Sequence, residues 1–477
     1  MGDGVVKLDR STLPDIPIAK PTYARDEVTV GIVHFGVGGF HRAHQAMYVD
    51  ALLEKGLASE WGICGVGVLP GDRKMAEALG TQDGLYTLLL ENPDGTRDAR
   101  VIGSIVDYRF APDDPEAVVE LLAAPSTRII SLTITEGGYE VDKVDADSVN
   151  VFGLVTDALA RRRDRGIGSP TIVSCDNIEG NGDVARAAFM SYADRTHPGL
   201  SEWIGVGTRF PNSMVDRITP VTTPDVIATV REEFGVDDAW PVVAEPFTSW
   251  VLEDTFADGR PPFEDVGVLL VDDVTPYELM KLRLLNASHQ ALCYFGYLAG
   301  YRLVHDAAGD PLFAELLRRY MDSEATPTLQ PVPGIDLPDY KRTLIERFAN
   351  PGVRDTITRL CYGSSDRIPK WLLPVVRENL RTGAPIRLSA AVVASWARYA
   401  EGVDEQGEPI DVQDQLADEL VPLARAQRDN PTAFIENRPV FGDLVDDKRF
   451  VDEYVAALQS LHRKGARATL EALMGAS

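Results

Sequence analysis

Four polar residues of types that carry acid–base chemistry lie within the segment 278–289. At about 100° per residue of an α-helix, Glu278 lies about 60° and His289 about 80° from Lys281. Asn286 lies about 140° from Lys281, so all four share one broad face. Leucines on the same stripe indicate a desolvated setting, which disfavours the ammonium form and suits a lysine general base. An amphipathic helix with a solvated Lys–Glu pair explains the same spacing, and the spacing alone favours that simpler interpretation.

A glycine cluster comprising Gly36, Gly38 and Gly39, with Phe40 after it, follows the first predicted strand and opens a helix. Glycines at this place allow a tight turn and let the backbone approach a pyrophosphate at the helix N-terminus. A plain turn needs glycines as well, but the strand before and the helix after favour a dinucleotide site. The histidines that follow are three residues apart, and since no third ligand has suitable spacing, a metal site is not predicted.

Other polar residues follow later predicted strands, where α/β sheets bind ligands. Asp72, after the second strand, is the candidate that grips the adenosine ribose. Its carboxylate would repel the 2′-phosphate of NADP and so favours NAD, a preference that Arg73 and Lys74 could soften. Asn177 and Asp216 follow two further strands. Each of these residues can instead cap a helix or close a turn.

The elements that must position these residues change character along the chain. Up to about residue 250, short β-branched runs alternate with helical patterns, which indicates βαβ units and a mainly parallel sheet. The predicted strands are 28–35, 61–68, 128–135 and 171–175, and the predicted helices are 41–55, 115–124, 151–165 and 183–193. A hairpin over 85–91 and 99–107 is expected as an insertion on that sheet. After about residue 270 helical spacing dominates, with helices predicted over 277–300, 311–321, 340–348, 368–382, 388–399, 412–428 and 446–462.

Composition excludes several classes of protein. The 477 residues are 44% hydrophobic and 25% charged, which is typical of globular chains. The formal net charge of −26 disfavours nucleic acid and anionic membranes as partners. Four single cysteines exclude a disulfide framework and a thiolate zinc cage, and they indicate a reducing compartment. With no signal-peptide pattern and no apolar run of membrane length, we expect a cytoplasmic protein.

Several long motifs in one order carry a resemblance to a known family. The chain resembles the polyol-specific long-chain dehydrogenases/reductases over nearly its whole length, through residues 36–44, 133–139, 174–177, 210–220, 245–247 and 275–289. The resemblance implies an α/β fold with a Rossmann-like NAD-binding domain over 1–272 and a mostly α-helical substrate domain over 273–477. It implies an active site in the cleft between them, where a polyol is reversibly oxidised to a ketose with a nicotinamide cofactor and no metal.

The resemblance also assigns roles to the reacting groups. Lys281 falls on the general base of the family's K-x4-N-x2-H motif, and Glu278 on its proton relay to solvent. Asn286 and Asn177 fall on the two amides of the oxyanion hole. His289 falls on the partner of the reacting or adjacent hydroxyl group.

Binding positions follow from the same resemblance. Asp216, Arg359 and Arg367 fall on positions that bind the polyol chain, although relatives often carry lysine where Arg367 stands. Glu136 and Gly137 join the glycine cluster and the ribose aspartate in the cofactor-binding set. Relatives carry an acid immediately before that aspartate, where this chain has glycine, so the NAD preference depends mainly on the aspartate itself.

Within the family we expect D-mannitol as substrate and D-fructose as product. D-Arabinitol is an alternative substrate within the family, and the hexuronates fructuronate and tagaturonate are alternatives because Arg359 and Arg367 could hold a sugar carboxylate. A non-catalytic nucleotide-binding module is a further alternative, but it would need no lysine base beside two amide donors. No heptad or exposed apolar stripe demands a protein partner, and the family includes monomers.

Overall fold

Buried strands alternate with helices along the first 271 residues of the chain. The computed structural model describes residues 4–145 and 148–475. These residues form two compact units, with the main division between Thr275 and Pro276. The strands found in the described residues all belong to the first unit: β1 (Val6–Lys7), β2 (Val30–Phe35), β3 (Gly62–Gly67), β4 (Tyr86–Glu91), β5 (Arg97–Ile102), β6 (Ile105–Phe110), β7 (Ile129–Leu132), β8 (Thr171–Ser174), β9 (Ser213–Asp216), β10 (Val236–Asp237), β11 (Val242–Ala244), β12 (Ser249–Glu253) and β13 (Leu269–Val271).

Five parallel strands form the main sheet, in the order β6-β3-β2-β7-β8. Chain order runs outward from β2 in both directions, which is the Rossmann arrangement with its switch point at β2. The strands carry few polar residues because helices cover both faces of a sheet built this way. The predicted Rossmann-like fold is therefore confirmed.

The helices of the first unit begin where the sequence supplies caps. Asp114 accepts a hydrogen bond from the backbone of Ala117, and Asn150 accepts one from Gly153, each at a helix N-terminus. The predicted helix 41–55 is broken at His44, which has non-helical torsions. The helices are α1 (Gly39–Ala43), α2 (Gln45–Glu54), α3 (Arg73–Gly80), α4 (Pro115–Ala123), α5 (Val151–Asp164), α6 (Asn181–Thr196), α7 (Leu200–Gly207) and α8 (Pro224–Phe234).

The predicted hairpin insertion was partly wrong. β4 and β5 do form an antiparallel hairpin, but it pairs with β11 in a separate three-stranded sheet. β6, which overlaps the predicted second arm, is instead the edge strand of the main sheet. The chain turns between them because the Gly103 amide donates to Asp50 and the Ser104 hydroxyl donates to the Ala46 carbonyl oxygen. β5 and β6 share one alternating pattern, so the sequence predicted a single strand where the structure has two.

The second unit is helical throughout its described residues. Its helices are α9 (Thr275–Met280), α10 (Ala287–Leu298), α11 (Val304–Gly309), α12 (Pro311–Tyr320), α13 (Leu337–Phe348), α14 (Ile357–Cys361), α15 (Ser364–Trp371), α16 (Leu373–Thr382), α17 (Arg387–Tyr399), α18 (Ala417–Ala426), α19 (Arg438–Phe441) and α20 (Lys448–Gly475). The predicted helix 368–382 is two helices, because the helix is interrupted at Leu372, two residues before a proline. The predicted helix 446–462 continues to residue 475 through a kink at Gly465, whose φ is 81°.

Among the residues described, no helix is both long enough and apolar enough to cross a bilayer.

Candidate functional site

The carboxyl ends of adjacent parallel strands bring the sequence motifs of the first unit to one edge. β2 is followed by Gly36, β7 by Thr133, and β8 by the segment that contains Asn177. The Thr133 amide donates to the Phe35 carbonyl oxygen at 3.0 Å, and the Cys175 amide donates to the Leu132 carbonyl oxygen at 2.8 Å, so these ends are in register. This edge, at the switch point of the sheet, is where α/β folds bind ligands.

The two glycines of the turn after β2 have different environments. Gly36 has φ 89°, and a Cβ there would lie 2.1 Å from the Thr133 carbonyl oxygen. The Thr133 hydroxyl also donates to the Gly36 carbonyl oxygen at 2.6 Å. Gly38 has an ordinary extended backbone, and the nearest atom to a Cβ there is 3.8 Å away. Gly36 is therefore required by the protein itself, whereas Gly38 leaves open space at the start of α1.

Two histidines beside this turn are buried and stacked. The rings of His34 and His41 lie 3.4 Å apart, centroid to centroid, and are nearly parallel. His34 bonds Ser131 and Thr133 through its two ring nitrogens, whereas neither ring nitrogen of His41 has a partner among the described residues. Burial lowers the pKa of His34 to about 3 and also lowers the pKa of His41 well below its usual value.

Asp72 lies just beyond the end of β3, as the sequence predicted. Its Oδ2 accepts hydrogen bonds from the Val68 and Leu69 amides at 2.8 and 2.9 Å. No donor to its Oδ1 is found in the described part of the chain, so this oxygen remains available to a ligand. Arg73 is paired with Asp113 through both terminal nitrogens and lies over the Phe110 ring, so its charge is largely neutralised.

A buried carboxylate joins the loops after β7 and β8. Asp176 accepts hydrogen bonds from the Thr135 amide at 2.7 Å, the Ile134 amide at 3.1 Å and the Tyr139 hydroxyl at 2.7 Å. Burial raises its pKa above the usual carboxyl range. Thr135 has φ 66° and ψ 166°, a conformation that costs a non-glycine residue about 1–3 kcal/mol. Asp176 lies within the motif 174–177, but no role was predicted for it from the sequence.

The cofactor candidates after β7 lie in a single turn of 3₁₀-helix, Glu136–Tyr139. A Cβ at Gly137 would meet no atom within 4 Å, so this glycine faces open space. The side chain of Glu136 lies outside the described part of the structure. Its assigned role stays a prediction.

Asn177 lies beyond the carboxyl end of β8, at the sheet edge that the sequence indicated, whereas Asp216 ends β9, which belongs to a separate three-stranded sheet with β12 and β13 and not to the main sheet. Asn177 is exposed, three residues beyond β8, whereas Asp216 is buried and is the last residue of β9. The next residue, Arg217, was not predicted to matter. Its buried guanidinium donates twice to the Glu245 carbonyl oxygen and once to the Ala43 carbonyl oxygen, which ties β9 to the end of α1. An arginine directly after the candidate aspartate was the available signal.

In the second unit, the helix from Thr275 to Leu298 carries the four polar residues of the proposed catalytic face. These side chains are 5–9% exposed, so the solvated alternative considered from the sequence does not apply: Glu278, Lys281, Asn286 and His289. The segment Lys281–Asn286 is a π-helix between α9 and α10. π turns are rare and occur frequently at functional sites. The Tyr320 hydroxyl donates to the Arg283 carbonyl oxygen at 3.1 Å, within this turn.

The π turn corrects the angles expected from a uniform α-helix. Hydrogen bonds in a π-helix join residues five apart, so Lys281 and Asn286 lie one turn apart. If the turn is treated as one α turn with an extra residue, Asn286 moves to about 40° from Lys281, and His289 to about −20°. The polar face is therefore narrower than the uniform spacing predicted.

The surroundings of α10 place further groups near this face. The His289 ring packs on Phe348, with centroids 4.3 Å apart. Asn286 Oδ1 is buried and has no hydrogen-bond partner among the described residues. Gln290 donates to the Leu360 carbonyl oxygen at 3.2 Å, which joins α10 to α14.

Arg359 lies in α14 and Arg367 lies in α15, the next helix along the chain. Arg367 donates to the carbonyl oxygens of Arg359 and Leu360, each at 3.2 Å. The Arg359 side chain is 56% exposed and pairs with Asp355, with Nε 2.6 Å from Oδ1. That carboxylate raises the pKa of Arg359 further above its usual value.

Within the described ranges, no three His, Cys, Asp or Glu side chains are grouped so as to hold a metal ion.

Family models match both units. The model of the mannitol dehydrogenase Rossmann domain matches residues 30–265, and that of the mannitol dehydrogenase C-terminal domain matches residues 273–462. The chain belongs to the mannitol dehydrogenase family. The expected membership of the polyol-specific dehydrogenases is thereby confirmed.

Similar proteins within this family extend over nearly the whole chain. The mannitol 2-dehydrogenase of Phaeosphaeria nodorum is 46% identical over 98% of this chain and 85% of its own length. That of Aspergillus fumigatus is 44% identical over 94% of each chain. The solved ternary complex of Pseudomonas fluorescens mannitol 2-dehydrogenase with NAD and D-mannitol is 42% identical, with a TM-score of 0.88 over 99% of this chain and 100% of that one. A substrate-free D-sorbitol dehydrogenase is 37% identical, with a TM-score of 0.90 over 97% of this chain and 100% of that one.

Proposed function

We propose that this chain is an NAD-dependent dehydrogenase that reversibly oxidises D-mannitol to D-fructose, with Lys281 as general base and without a catalytic metal. The observation that carries the proposal is the π turn, which aligns Lys281 and Asn286 on one buried helix face. The mannitol 2-dehydrogenases at 42–46% identity support the choice of substrate.

The residues of the chain suit removal of a hydride from a secondary alcohol. As the carbinol carbon loses hydride, Lys281 accepts the hydroxyl proton, and Glu278 passes it to solvent. The amides of Asn286 and Asn177 donate to the oxygen while it carries negative charge. Asn286 fits this role because its buried Oδ1 has no partner within the described chain, and a rotated amide presents Nδ2 at the same place. His289 bonds the reacting or the adjacent hydroxyl.

The first unit offers the features that NAD requires. NAD, when bound, accepts the hydride. Gly38 lets the pyrophosphate approach the start of α1, because nothing in the protein occupies the Cβ position. Asp72 retains Oδ1 for a ribose hydroxyl, and the guanidinium of Arg73 is paired with Asp113, so a 2′-phosphate would have to compete with that carboxylate for it. These features support NAD over NADP.

One contact favours a neutral polyol over a hexuronate. Arg359 already has a carboxylate partner, Asp355, on both its Nε and a terminal nitrogen. A sugar carboxylate would have to displace that partner or bind beside it, where the net charge of the pair is about zero. A polyol hydroxyl can share the guanidinium without this competition, and Asp216 provides an acceptor for another hydroxyl.

The same proposal covers location and partners. We infer that the chain acts in the cytoplasm on a small molecule, as a monomer, with no nucleic-acid or membrane partner. The net charge of −26 supports the absence of nucleic-acid and membrane partners, because it repels polyanions and anionic lipid. Sedimentation of the purified protein, with and without DNA, tests the monomer and the absence of complexes.

The substrate assignment is tested in the reductive direction. The purified protein is incubated with NADH and, separately, D-fructose, fructuronate and tagaturonate, and each product is identified by chromatography. Reduction of fructose to mannitol is expected. Turnover of a hexuronate but not of fructose would overturn the assignment, and NADH binding without turnover of any substrate would favour a non-catalytic module.

A further inference from the structure

We propose that Asp176 is a positioning residue that holds the loops after β7 and β8 in their working arrangement. The inference rests on the proposed function, because those loops carry Gly137 on the cofactor side and Asn177 as an amide donor. The carboxylate of Asp176 accepts hydrogen bonds from the backbone amides of Ile134 and Thr135, so we assign it no contact with substrate.

Among the described residues, the hydrogen-bond partners of Asp176 lie in the segment that follows β7 and between the end of β8 and the start of α6. Its two oxygens accept from the consecutive amides of Ile134 and Thr135, and one of them also accepts from the Tyr139 hydroxyl. Tyr139 bonds Ser174, the last residue of β8, at 2.8 Å. These three donors all follow β7 and the carboxylate follows β8, and a charged acceptor fixes the spacing of two such chain segments more firmly than a neutral one.

Thr135 shows why such an acceptor is needed. Its positive φ and extended ψ form a conformation that only glycine adopts easily, and its side chain is exposed. The loop would relax to a negative φ if the bond from the Thr135 amide were lost. Relaxation there would move Glu136 and Gly137, the next residues of the loop.

The same loop is bonded to the glycine turn. Thr133, two residues before Thr135, donates its hydroxyl hydrogen to the Gly36 carbonyl oxygen at 2.6 Å. Asn181 donates to the Asp176 carbonyl oxygen at 3.0 Å, and the Ile178 amide donates to it at 2.9 Å, which fixes the turn that presents Asn177. Asp176 is thus bonded through both its side chain and its backbone to segments that carry site residues.

The test uses Asp176→Asn and a matched control, Asp238→Asn. Asp238 is also a buried carboxylate of the first unit that accepts from two backbone amides and one neutral side chain, but its partners are Thr87, Trp240 and Gln82, away from these loops. We expect Asp176→Asn to lower kcat on mannitol roughly 100-fold and to raise the deuterium isotope effect at the carbon that loses hydride. Asp238→Asn is expected to lower Tm while leaving kcat and the isotope effect unchanged.

Two further measurements separate positioning from general destabilisation. Hydrogen exchange of peptide 133–140 should accelerate in Asp176→Asn and stay at the wild-type rate in Asp238→Asn. Adding Thr135→Gly to Asp176→Asn should raise kcat about tenfold above that of Asp176→Asn alone. Glycine adopts the positive φ at position 135 without strain, so the loop no longer depends on the bond to the carboxylate. Wild-type kcat and exchange in Asp176→Asn, or equal effects of both aspartate variants, would overturn the proposal.

A second variant and the exchange measurement test the proposal if Asp176→Asn does not fold or the chain oxidises no polyol. If Asp176→Asn does not fold, Tyr139→Phe removes one donor to the carboxylate, and the proposal then requires a several-fold lower kcat with faster exchange of peptide 133–140. Unchanged kcat and exchange in Tyr139→Phe would overturn it. If the wild-type chain oxidises no polyol, the proposed function fails, but the exchange comparison still decides whether Asp176 holds the loop.

Discussion

The two glycines of the turn after β2 should fail in different ways when alanine replaces them. In Gly36→Ala, the new Cβ would lie 2.1 Å from a backbone carbonyl oxygen, at a φ of 89°. The left-handed backbone alone costs about 1–2 kcal/mol, and moving the carbonyl brings the total to about 2–4 kcal/mol. At about 2–4 °C per kcal/mol, Tm should fall by about 4–16 °C.

Gly38→Ala should leave the protein as stable as the wild type, because its backbone is ordinary and its Cβ meets no atom closer than 3.8 Å. The methyl group would instead occupy space that the proposed pyrophosphate needs. Loss of one charge-assisted hydrogen bond, about 1.5–3 kcal/mol, predicts NADH binding weaker by about 10–100-fold.

Thermal unfolding and NADH fluorescence titration of both variants measure this contrast. The reasoning predicts a lower Tm for Gly36→Ala and a weaker Kd at unchanged Tm for Gly38→Ala. A Gly38→Ala variant that binds NADH like the wild type would refute the placement of the cofactor at this turn.

Three other predictions follow. Lys281→Ala should lower kcat by about 10²–10⁴-fold while NADH binding stays near wild type, because a base acts only in the chemical step. A variant that loses NADH binding but keeps turnover would contradict the role of Lys281 as general base. Asp72→Ala should lower the ratio of kcat/KM for NAD to that for NADP, as measured with both cofactors, and should also lower Tm because two amides lose their acceptor. Burial lowers the pKa of His34 to about 3 and also lowers the pKa of His41. In the folded state these rings therefore stay unprotonated at pH values where the unfolded state binds protons. The stability that this difference contributes is present above about pH 6.5 and is lost as pH falls towards 3. His41→Phe should reduce this loss of stability at acid pH, because it removes a ring that binds a proton more readily in the unfolded state than in the folded state. An equal dependence of Tm on pH in wild type and variant would count against this.

The main sheet was predictable because its strands are short β-branched runs that end in glycine, Asp or Asn. Four of its five strands were predicted within a few residues of their bounds. The fifth, β6, was missed because it follows β5 after only two residues, and alternating patterns do not reveal where one strand ends. The turn at Gly103 depends on bonds to distant residues, which no local pattern encodes.

The polar face of the segment 278–289 was predictable in composition but not in burial or geometry. The residue types were plain from the pattern, but the spacing favoured a solvated Lys–Glu pair, and the angle between Lys281 and Asn286 assumed a uniform α-helix. A π turn depends on tertiary partners such as Tyr320, thirty-nine residues after Lys281. Asp176 was overlooked for a similar reason, since its partners after β7 are distant in sequence.

The most direct test is the rate of NADH formation by the purified protein with NAD and D-mannitol at mildly alkaline pH, with D-arabinitol and D-sorbitol in parallel. The account predicts strong turnover on mannitol that is unaffected by prior treatment with a chelator. Loss of turnover after chelation would contradict the metal-free lysine mechanism, and no turnover on any polyol by a protein that still binds NADH would contradict the proposed function.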